Sequence, residues 1–513
     1  MRNRTITTKW NLLFQYILIF LTVIWGIVLV PLYLKFIPLD VYGAWLATGN
    51  IVAWLAVIDP GLSEVLQQKV ATAYGGRKFA NIGSLIIGGG LITLVIAMFV
   101  LLVGWLISDI LVNWIKLENS SKTKLVKDAF LLAVMASTIS IFSYSVVAIN
   151  KGLQGSLAIG IISVTVYVLS LLLVIFLLYT GFSLLAIPIA LIFHRVGVTL
   201  SNLIYLGWRL WSEKISLSFS FRQILTLTGL LSYTFIGRAG VVVAENVDAF
   251  IVARFMGAEI VPVLELTRKV PQMSKLVVER PVVAFMPAIS HLVGTNEIDK
   301  ARIVLLRLIR LILWLLGLII GGFIAFNDDF VKLWVGADLF AGSTINFIIC
   351  VTIAMSALTS NLAQLCWALG NIKGNSLANL LQSGLQICLA IIGIYYFGLL
   401  GLVLAPLLAI FAVSAWYYPR SFSRLLSIPS ADRHAILREI VKTLLIVIVL
   451  IGIFIFPEPE GWLTFTIWTL SFSLCYGIVL WSVSSKARLE IIGLLNKLKS
   501  VLGRFMPLPG KCS

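Results

Sequence analysis

The residues best suited to chemistry lie between positions 238 and 280, where charged side chains interrupt two long apolar runs. Placing an ionisable group at the centre of a bilayer costs about 2.5–3.5 kcal/mol on insertion scales, so such groups face a bundle interior or a water-filled cavity and usually serve function. Basic residues outnumber acidic ones here, so the stretch suits an anionic ligand. The first run contains Arg238, Glu245, Asp248 and Arg254, and the second contains Glu265, Arg268, Lys269, Lys275, Glu279 and Arg280.

The spacing of these charges places them on one side of each helix. At about 100° per residue, positions that recur every three or four residues form one narrow stripe. Two apolar helices with polar stripes predict the wall of an internal cavity. A structural alternative is open, because neighbouring charges three or four residues apart form ion pairs within a helix. The second stripe consists of Glu265, Arg268, Gln272, Lys275 and Glu279, and the first of Arg238, Glu245 and Asp248.

Composition places the chain in a membrane. Its 513 residues are 60% hydrophobic and 12% charged, whereas soluble domains are about half apolar and a quarter charged. A membrane span needs about 20 apolar residues, and fourteen runs meet this length. We therefore predict an all-α integral membrane protein. The predicted spans are 11–37, 44–66, 83–107, 125–149, 157–179, 184–207, 224–256, 260–290, 303–326, 343–369, 375–397, 399–418, 439–456 and 462–484.

The distribution of basic residues sets the expected orientation. Cytoplasmic loops carry an excess of Lys and Arg, and most of the 39 Lys and Arg fall on one side if the N-terminus is cytoplasmic. With fourteen spans, both ends are then cytoplasmic. The net charge of +17 is thereby explained without a nucleic-acid partner. The basic residues left inside spans are Arg195, Arg238, Arg254, Arg268, Lys269, Lys275 and Arg280.

An internal repeat divides the chain. The segment 148–152 resembles 368–374 in its Asn, Lys and Gly residues, and each is followed by an apolar run and a glycine turn, at Gly181 and Gly398. Ordered similarity of this kind is typical of transporters built from two related halves. We predict two parallel six-helix lobes, 1–212 and 213–425, around a central cavity. Helices 13 and 14 (426–485) and a basic amphipathic tail (486–513) follow. The tail suits the anionic inner leaflet or a partner protein.

The known catalytic signatures are absent: no P-loop, HExxH or GxSxG motif occurs, and the five cysteines form no metal-binding pattern. His194 is either a proton site or a satisfied interior residue. Asp59, Pro60 and Gly61 should break the second span. Asp59 and Glu64 are then candidates for ion coupling, or Asp59 simply caps the helix that follows.

Several short segments resemble Wzx-type polysaccharide (O-antigen) flippases, and the likeness covers about residues 10–420. That family belongs to the multidrug/oligosaccharidyl-lipid/polysaccharide (MOP) superfamily, together with MATE drug exporters and lipid II flippases. The resemblance implies twelve or fourteen helices in two six-helix lobes around a cavity. The segments that carry it are 38–45, 59–62, 71–76, 246–248, 285–290, 333–336 and 370–374.

The resemblance also implies a function. The substrate would be an oligosaccharide linked to undecaprenyl pyrophosphate, for lipopolysaccharide or a related polysaccharide, moved across the bacterial inner membrane by alternating access. No cofactor or metal is expected beyond H⁺ or Na⁺ coupling. The expected partners are membrane lipids, glycosyltransferases and a polysaccharide polymerase. For the pyrophosphate we predict Arg238, Arg268 and Lys275, supported by Arg195, Lys269 and Arg280; for ion coupling, Asp59, Glu64, Glu245 and Asp248. Motif matching assigns none of these roles.

Three alternatives are open. A MATE-like exporter of cationic drugs should have a net acidic cavity, against the basic excess here. A lipid II-type flippase fits the fourteen predicted helices equally well. A membrane enzyme, such as a glycan polymerase or ligase, tends to carry catalysis on a large external loop, and the longest one predicted here, 108–124, lacks a catalytic set. We therefore expect a transporter and not an enzyme.

Overall fold

The computed structural model of the chain describes residues 2–57, 62–115, 117, 119–294, 298–454, 459–490 and 492–493. Nearly all of these residues are helical, and none of them belongs to a strand. The predicted all-α class is therefore confirmed. Inside a bilayer no water satisfies the backbone, so a helix, which bonds its own N–H and C=O groups, is the structure that long apolar runs adopt.

The helices follow the predicted order. In the first half, α1 to α7 are Arg2–Phe36, Leu39–Val57, Leu62–Gly75, Phe79–Ile115, Ser120–Gly152, Ser156–Tyr179 and Ala186–Ser212. Next, α8 to α12 are Phe221–Phe255, Ile260–Gly294, Ile298–Val335, Ser343–Ala368 and Ile372–Ala409. A short π-helix, Ile410–Ser414, leads into α13, Ala415–Leu425, and the final helices α14 and α15 are Ser430–Phe454 and Trp462–Val483.

Nine helical stretches among the described residues are long and apolar enough to cross a membrane. The predicted total of fourteen spans stays a prediction. One of the nine stretches, Lys373–Leu425, holds two predicted spans. The break predicted in the second span, at Asp59, Pro60 and Gly61, lies outside the described residues.

A sharp reversal inside α12 separates two of the predicted spans. Gly398 has φ 59° and ψ −142°, which no helix contains. A Cβ atom on Gly401 would lie 2.1 Å from the carbonyl oxygen of Gly393, so the two arms touch through their backbones. Gly181, the glycine predicted to be equivalent in the first half, also has a positive φ, of 88°. Glycine adopts this conformation without the steric cost that a Cβ imposes.

The predicted external loop at 108–124 is wrong in its length. The helix α4 continues to Ile115 and α5 already begins at Ser120. Hydropathy placed the helix ends where the apolar runs end, whereas polar residues continue both helices. Lys127 on α5 forms an ion pair with Asp109 on α4, which holds these extensions together.

The helices group into two compact units. Unit 1 comprises Met1–Glu265 and Ser376–Ala409, and unit 2 comprises Leu266–Asn375 and Ile410–Ser513. These units reflect contacts between helices, whereas the lobes 1–212 and 213–425 were predicted from a sequence repeat. The lobes, the additional helices at 426–485 and the tail at 486–513 therefore stay predictions, and most of the tail lies outside the described residues.

In unit 1, α5 is central and packs against α2, α3, α4 and α7. Leu66, Val70 and Leu153 lie fully buried in the core that these helices share. Polar contacts join them too: the hydroxyl groups of Thr93 and Ser145 are 2.7 Å apart. Small hydroxyl residues let membrane helices approach closely and bond to one another, which explains the serine-rich sequence of α5.

In unit 2, α10 packs against α11, α14 and α15. The ring of Phe326 meets that of Phe454 edge-on, with centroids 6.2 Å apart. Nearby, the buried Glu439 carboxylate accepts hydrogen bonds from Trp314 Nε1 at 3.3 Å and Ser484 Oγ at 2.8 Å. One carboxylate thus ties α14 to α10 and to the residue that follows α15.

The two segments of the predicted repeat make the same kind of joint. Asn150, at the end of α5, donates to the backbone carbonyl of Asn202 on α7 at 2.9 Å. Asn371, just after α11, donates to Tyr417 Oη at 2.9 Å and Ser421 Oγ at 2.8 Å on α13. In each half an asparagine therefore connects the end of the fourth predicted span to the end of the sixth.

Candidate functional site

Three basic residues of α9 have described side chains: Arg268 and Lys275 lie on one line along the helix, and Lys269 lies about 100° around it from Arg268. Arg268, Lys269 and Lys275 are each half-buried. The neighbouring face of α9 is apolar and packed, since Leu264 and Val278 are at most 1% exposed. The polar stripe therefore borders the buried face, which keeps the charged groups close to packed protein while part of each side chain stays accessible.

A buried polar network fixes the backbone beside Arg268. Thr267 is fully buried, and its hydroxyl oxygen accepts a hydrogen bond from the backbone N–H of Ala341 at 2.9 Å. Asn327 Nδ2, on α10, donates to the Thr267 carbonyl and to Asn346 Oδ1, both at 2.8 Å. Because these hydrogen bonds join α9, α10 and α11, the network holds α9 in one register against the other two helices.

Lys275 lies near the acidic residue of its own stripe. Its Nζ is 3.9 Å from Glu279 Oε1, and both side chains are 19% exposed. At this distance the charges attract but do not form a hydrogen bond. The ion-pair spacing recognised in the sequence is therefore realised here.

The start of α9 depends on two glycines in unit 1. Gly257 ends α8 with φ +97°, and a Cβ on Gly43 of α2 would lie 1.7 Å from the carbonyl oxygen of Ala258. Only a glycine lets the α2 backbone approach this turn. Gly43 belongs to the segment 38–45 that resembles the flippase family, so part of that motif has a packing role.

Two arginines of unit 1 lie against aromatic rings. The Arg195 guanidinium on α7 is 5.7 Å from the centroid of Tyr144, and that of Arg254 on α8 is 5.0 Å from Trp114. Cation–π contacts hold a guanidinium without neutralising it. The imidazole ring of His194 meets the ring of Tyr167 edge-on, with ring centroids 5.7 Å apart.

Asp248 is the one ion-coupling candidate whose side chain is described. It lies on α8 and is only 6% exposed. One turn away, Gln386 Nε2 of α12 donates to the Ala244 carbonyl at 2.8 Å, which joins α12 to α8 beside this carboxylate. A carboxylate this buried is costly unless its environment is polar.

The remaining site predictions fall outside the described part of the structure. Asp59 is not described, nor are the side chains of Glu64, Arg238, Glu245 and Arg280.

Among the described candidates, Arg268, Lys269 and Lys275 lie together in unit 2, and Arg195 and Asp248 lie in unit 1. A shared central cavity stays a prediction.

Sequence reasoning missed the network of Thr267, Asn327 and Asn346. A signal was present, because an asparagine inside an apolar helix must find partners. The partners are 19 and 60 residues away in sequence, so no local pattern identifies them.

Comparison with solved structures identifies the fold. The chain is similar to the lipid II flippase MurJ in an inward closed conformation, with TM-score 0.67 and 15% identity over 92% of this chain and 99% of that one. It is also similar to an inward-facing MATE family multidrug resistance transporter of the MOP superfamily, with TM-score 0.65 and 13% identity over 78% and 94%. The chain has the fold of MOP transporters.

A further MATE structure, in complex with MaL6, is similar with TM-score 0.56 and 12% identity over 83% of this chain and 96% of that one. In sequence comparisons, no family model and no curated protein matches the chain. At these identities the likeness shows a shared fold, and a fold hosts different substrates.

Proposed function

We propose that this protein is a flippase for oligosaccharides linked to undecaprenyl pyrophosphate, such as O-antigen repeat units. The observation that carries the proposal is the row of half-buried cations on α9, Arg268, Lys269 and Lys275, in a chain with the fold of MOP transporters. A substrate with two adjacent phosphates needs several cations in one place, and the planar fork of arginine matches phosphate oxygens in pairs.

In this proposal the α9 cations bind the pyrophosphate at the cytoplasmic side of a bacterial inner membrane. The protein then opens to the other side while the lipid tail remains in the bilayer. The rigid network at Thr267 keeps the backbone beside Arg268 in place during this change. Asp248 is the best described candidate for H⁺ or Na⁺ coupling, since protonating or neutralising a buried carboxylate changes its solvation strongly.

The second candidate function is a lipid II-type flippase. It is favoured by the similarity to MurJ, which extends over 99% of that chain. Both candidates carry a pyrophosphate on a lipid, so the same cations would serve either. A MATE-like exporter of cationic drugs is less suited, because three adjacent cations on α9 would repel such a substrate. Glycosyltransferases and a polymerase remain proposed partners for the first candidate.

The test is transport of fluorescent lipid-linked oligosaccharide, and separately of lipid II, in proteoliposomes. The test variant is Arg268→Ala with Lys275→Ala. The matched control is Lys373→Ala with Arg433→Ala, which removes two exposed basic residues. Charge-assisted hydrogen bonds contribute about 1.5–3 kcal/mol each, so we expect the test variant, which loses two cations, to transport at least about 100-fold more slowly and the control to match wild type.

The lipid that is transported distinguishes the two candidate functions. Transport of oligosaccharide lipid but not lipid II supports the first candidate, and the reverse supports the second. If the test variant inserts and transports like the control, the α9 cations are structural. Wild-type protein that moves neither lipid refutes both candidates.

A further inference from the structure

The segment between α7 and α8, residues 213–220, is held on the turn between α3 and α4. Ile215 is buried in the core of unit 1. Ser218 Oγ donates to the Ala80 carbonyl at 3.3 Å, and a Cβ on Gly83 would lie 2.0 Å from the carbonyl oxygen of Ser216. The segment is therefore a fixed surface, in backbone contact with α4.

Large aromatic side chains of this region point away from the protein. Trp211 is 80% exposed, Phe219 66% and Phe221 63%, and Phe79 on the α3–α4 turn is also exposed. Exposed Trp and Phe side chains are typical of protein surfaces that lie at the boundary between hydrocarbon and headgroups in a bilayer. The ends of α7 and α8 place it at that boundary, since one helix ends and the next begins here.

Four basic residues lie among these rings. Arg77, Lys78, Lys214 and Arg222 are exposed, and none of them forms an ion pair with another described residue. The nearby acid, Glu213, is already engaged: it pairs with Arg209 and accepts a hydrogen bond from Tyr74 Oη at 3.3 Å. The surface therefore carries an unneutralised positive charge.

We propose that this surface, here called the linker patch (Arg77, Lys78, Phe79, Trp211, Lys214, Phe219, Phe221 and Arg222), binds anionic phospholipid headgroups. The basic groups attract the phosphates, while the aromatic rings enter the bilayer boundary beside them. Excess positive charge in loops explains orientation alone, but it does not explain why two sequence-distant loops join to combine cations with exposed rings. The linker patch shares no residue with α9, so this proposal does not depend on the proposed substrate.

The test measures binding of phosphatidylglycerol and of zwitterionic phosphatidylcholine to the detergent-purified full chain by native mass spectrometry. The test variant is Lys214→Gln with Arg222→Gln. The matched control is Lys373→Gln with Arg433→Gln, and Lys214→Arg with Arg222→Lys keeps the charge. We expect wild type to prefer phosphatidylglycerol, the test variant to lose about 10- to 30-fold in affinity for it, and both other variants to bind like wild type.

A second variant keeps the basic residues of the linker patch and removes two of its aromatic rings. Trp211→Ser with Phe219→Ser should weaken the binding of both lipids, because the apolar contact between the rings and the lipid is lost while the cations remain. Equal affinity of wild type for the two lipids would overturn the proposal. So would an equal loss in the test and control variants, which would show only a dependence on total charge. Arg268→Ala with Lys275→Ala should leave phosphatidylglycerol binding intact; a loss there would place the lipid on α9.

Discussion

Replacing Asn327 by leucine should destabilise unit 2 by removing the centre of its buried polar network. The side chain is 1% exposed and donates two hydrogen bonds, to Thr267 and Asn346, both at 2.8 Å. Hydrogen bonds between membrane helices contribute about 0.6 kcal/mol on average and about 1.7 kcal/mol at most. Two of them give an expected loss of about 1–3 kcal/mol in the free energy of unfolding.

The chain offers a matched control. Asn361 is also 1% exposed, but its Nδ2 donates only within its own helix, to the Ala357 carbonyl at 2.8 Å. Asn361→Leu therefore removes no described hydrogen bond between helices and should cost less than about 0.5 kcal/mol. Unfolding in mixed micelles with increasing SDS measures both variants. An equal or larger loss for Asn361→Leu would show that the cost comes from replacing a buried asparagine and not from the network.

Two further predictions concern a close contact and a titrating group. Gly401→Ala should cost about 1–3 kcal/mol, because the new Cβ would overlap the Gly393 backbone, whereas Gly452→Ala meets open space and should be neutral in the same unfolding assay. Burial, together with the negative charge of Glu213, raises the pKa of Tyr74. The neutral side chain therefore contributes to the stability of the folded protein below pH ~10, and this contribution is lost as the pH rises above that value. Tyr74→Phe should flatten this alkaline decline in thermal stability; an unchanged profile would contradict the assignment.

Much of the fold follows from local properties of the sequence. Apolar runs of about 20 residues predict helices because the bilayer leaves the backbone no other partner. The glycine at 398 predicted the turn that divides α12. Helix ends were harder to place, since α4 continues through Asp109 to Ile115, beyond the end of its predicted span at 107.

The site was predictable only in part. Periodicity placed Arg268, Lys275 and Glu279 on one stripe because it depends on neighbours in one helix. The network that holds α9 depends on Asn327 and Asn346, which are distant in sequence, and side-chain types do not reveal which distant helices meet.

The reversal at Gly398 has a consequence for how the chain enters the membrane. Its two arms touch between Gly393 and Gly401, so only a few residues separate one apolar helix from the next. No hydrophilic loop separates the two arms, so the first arm cannot move far into the lipid before the second arm has been synthesised. We therefore expect the two arms of α12 to partition into the bilayer together, as one helical hairpin, during synthesis.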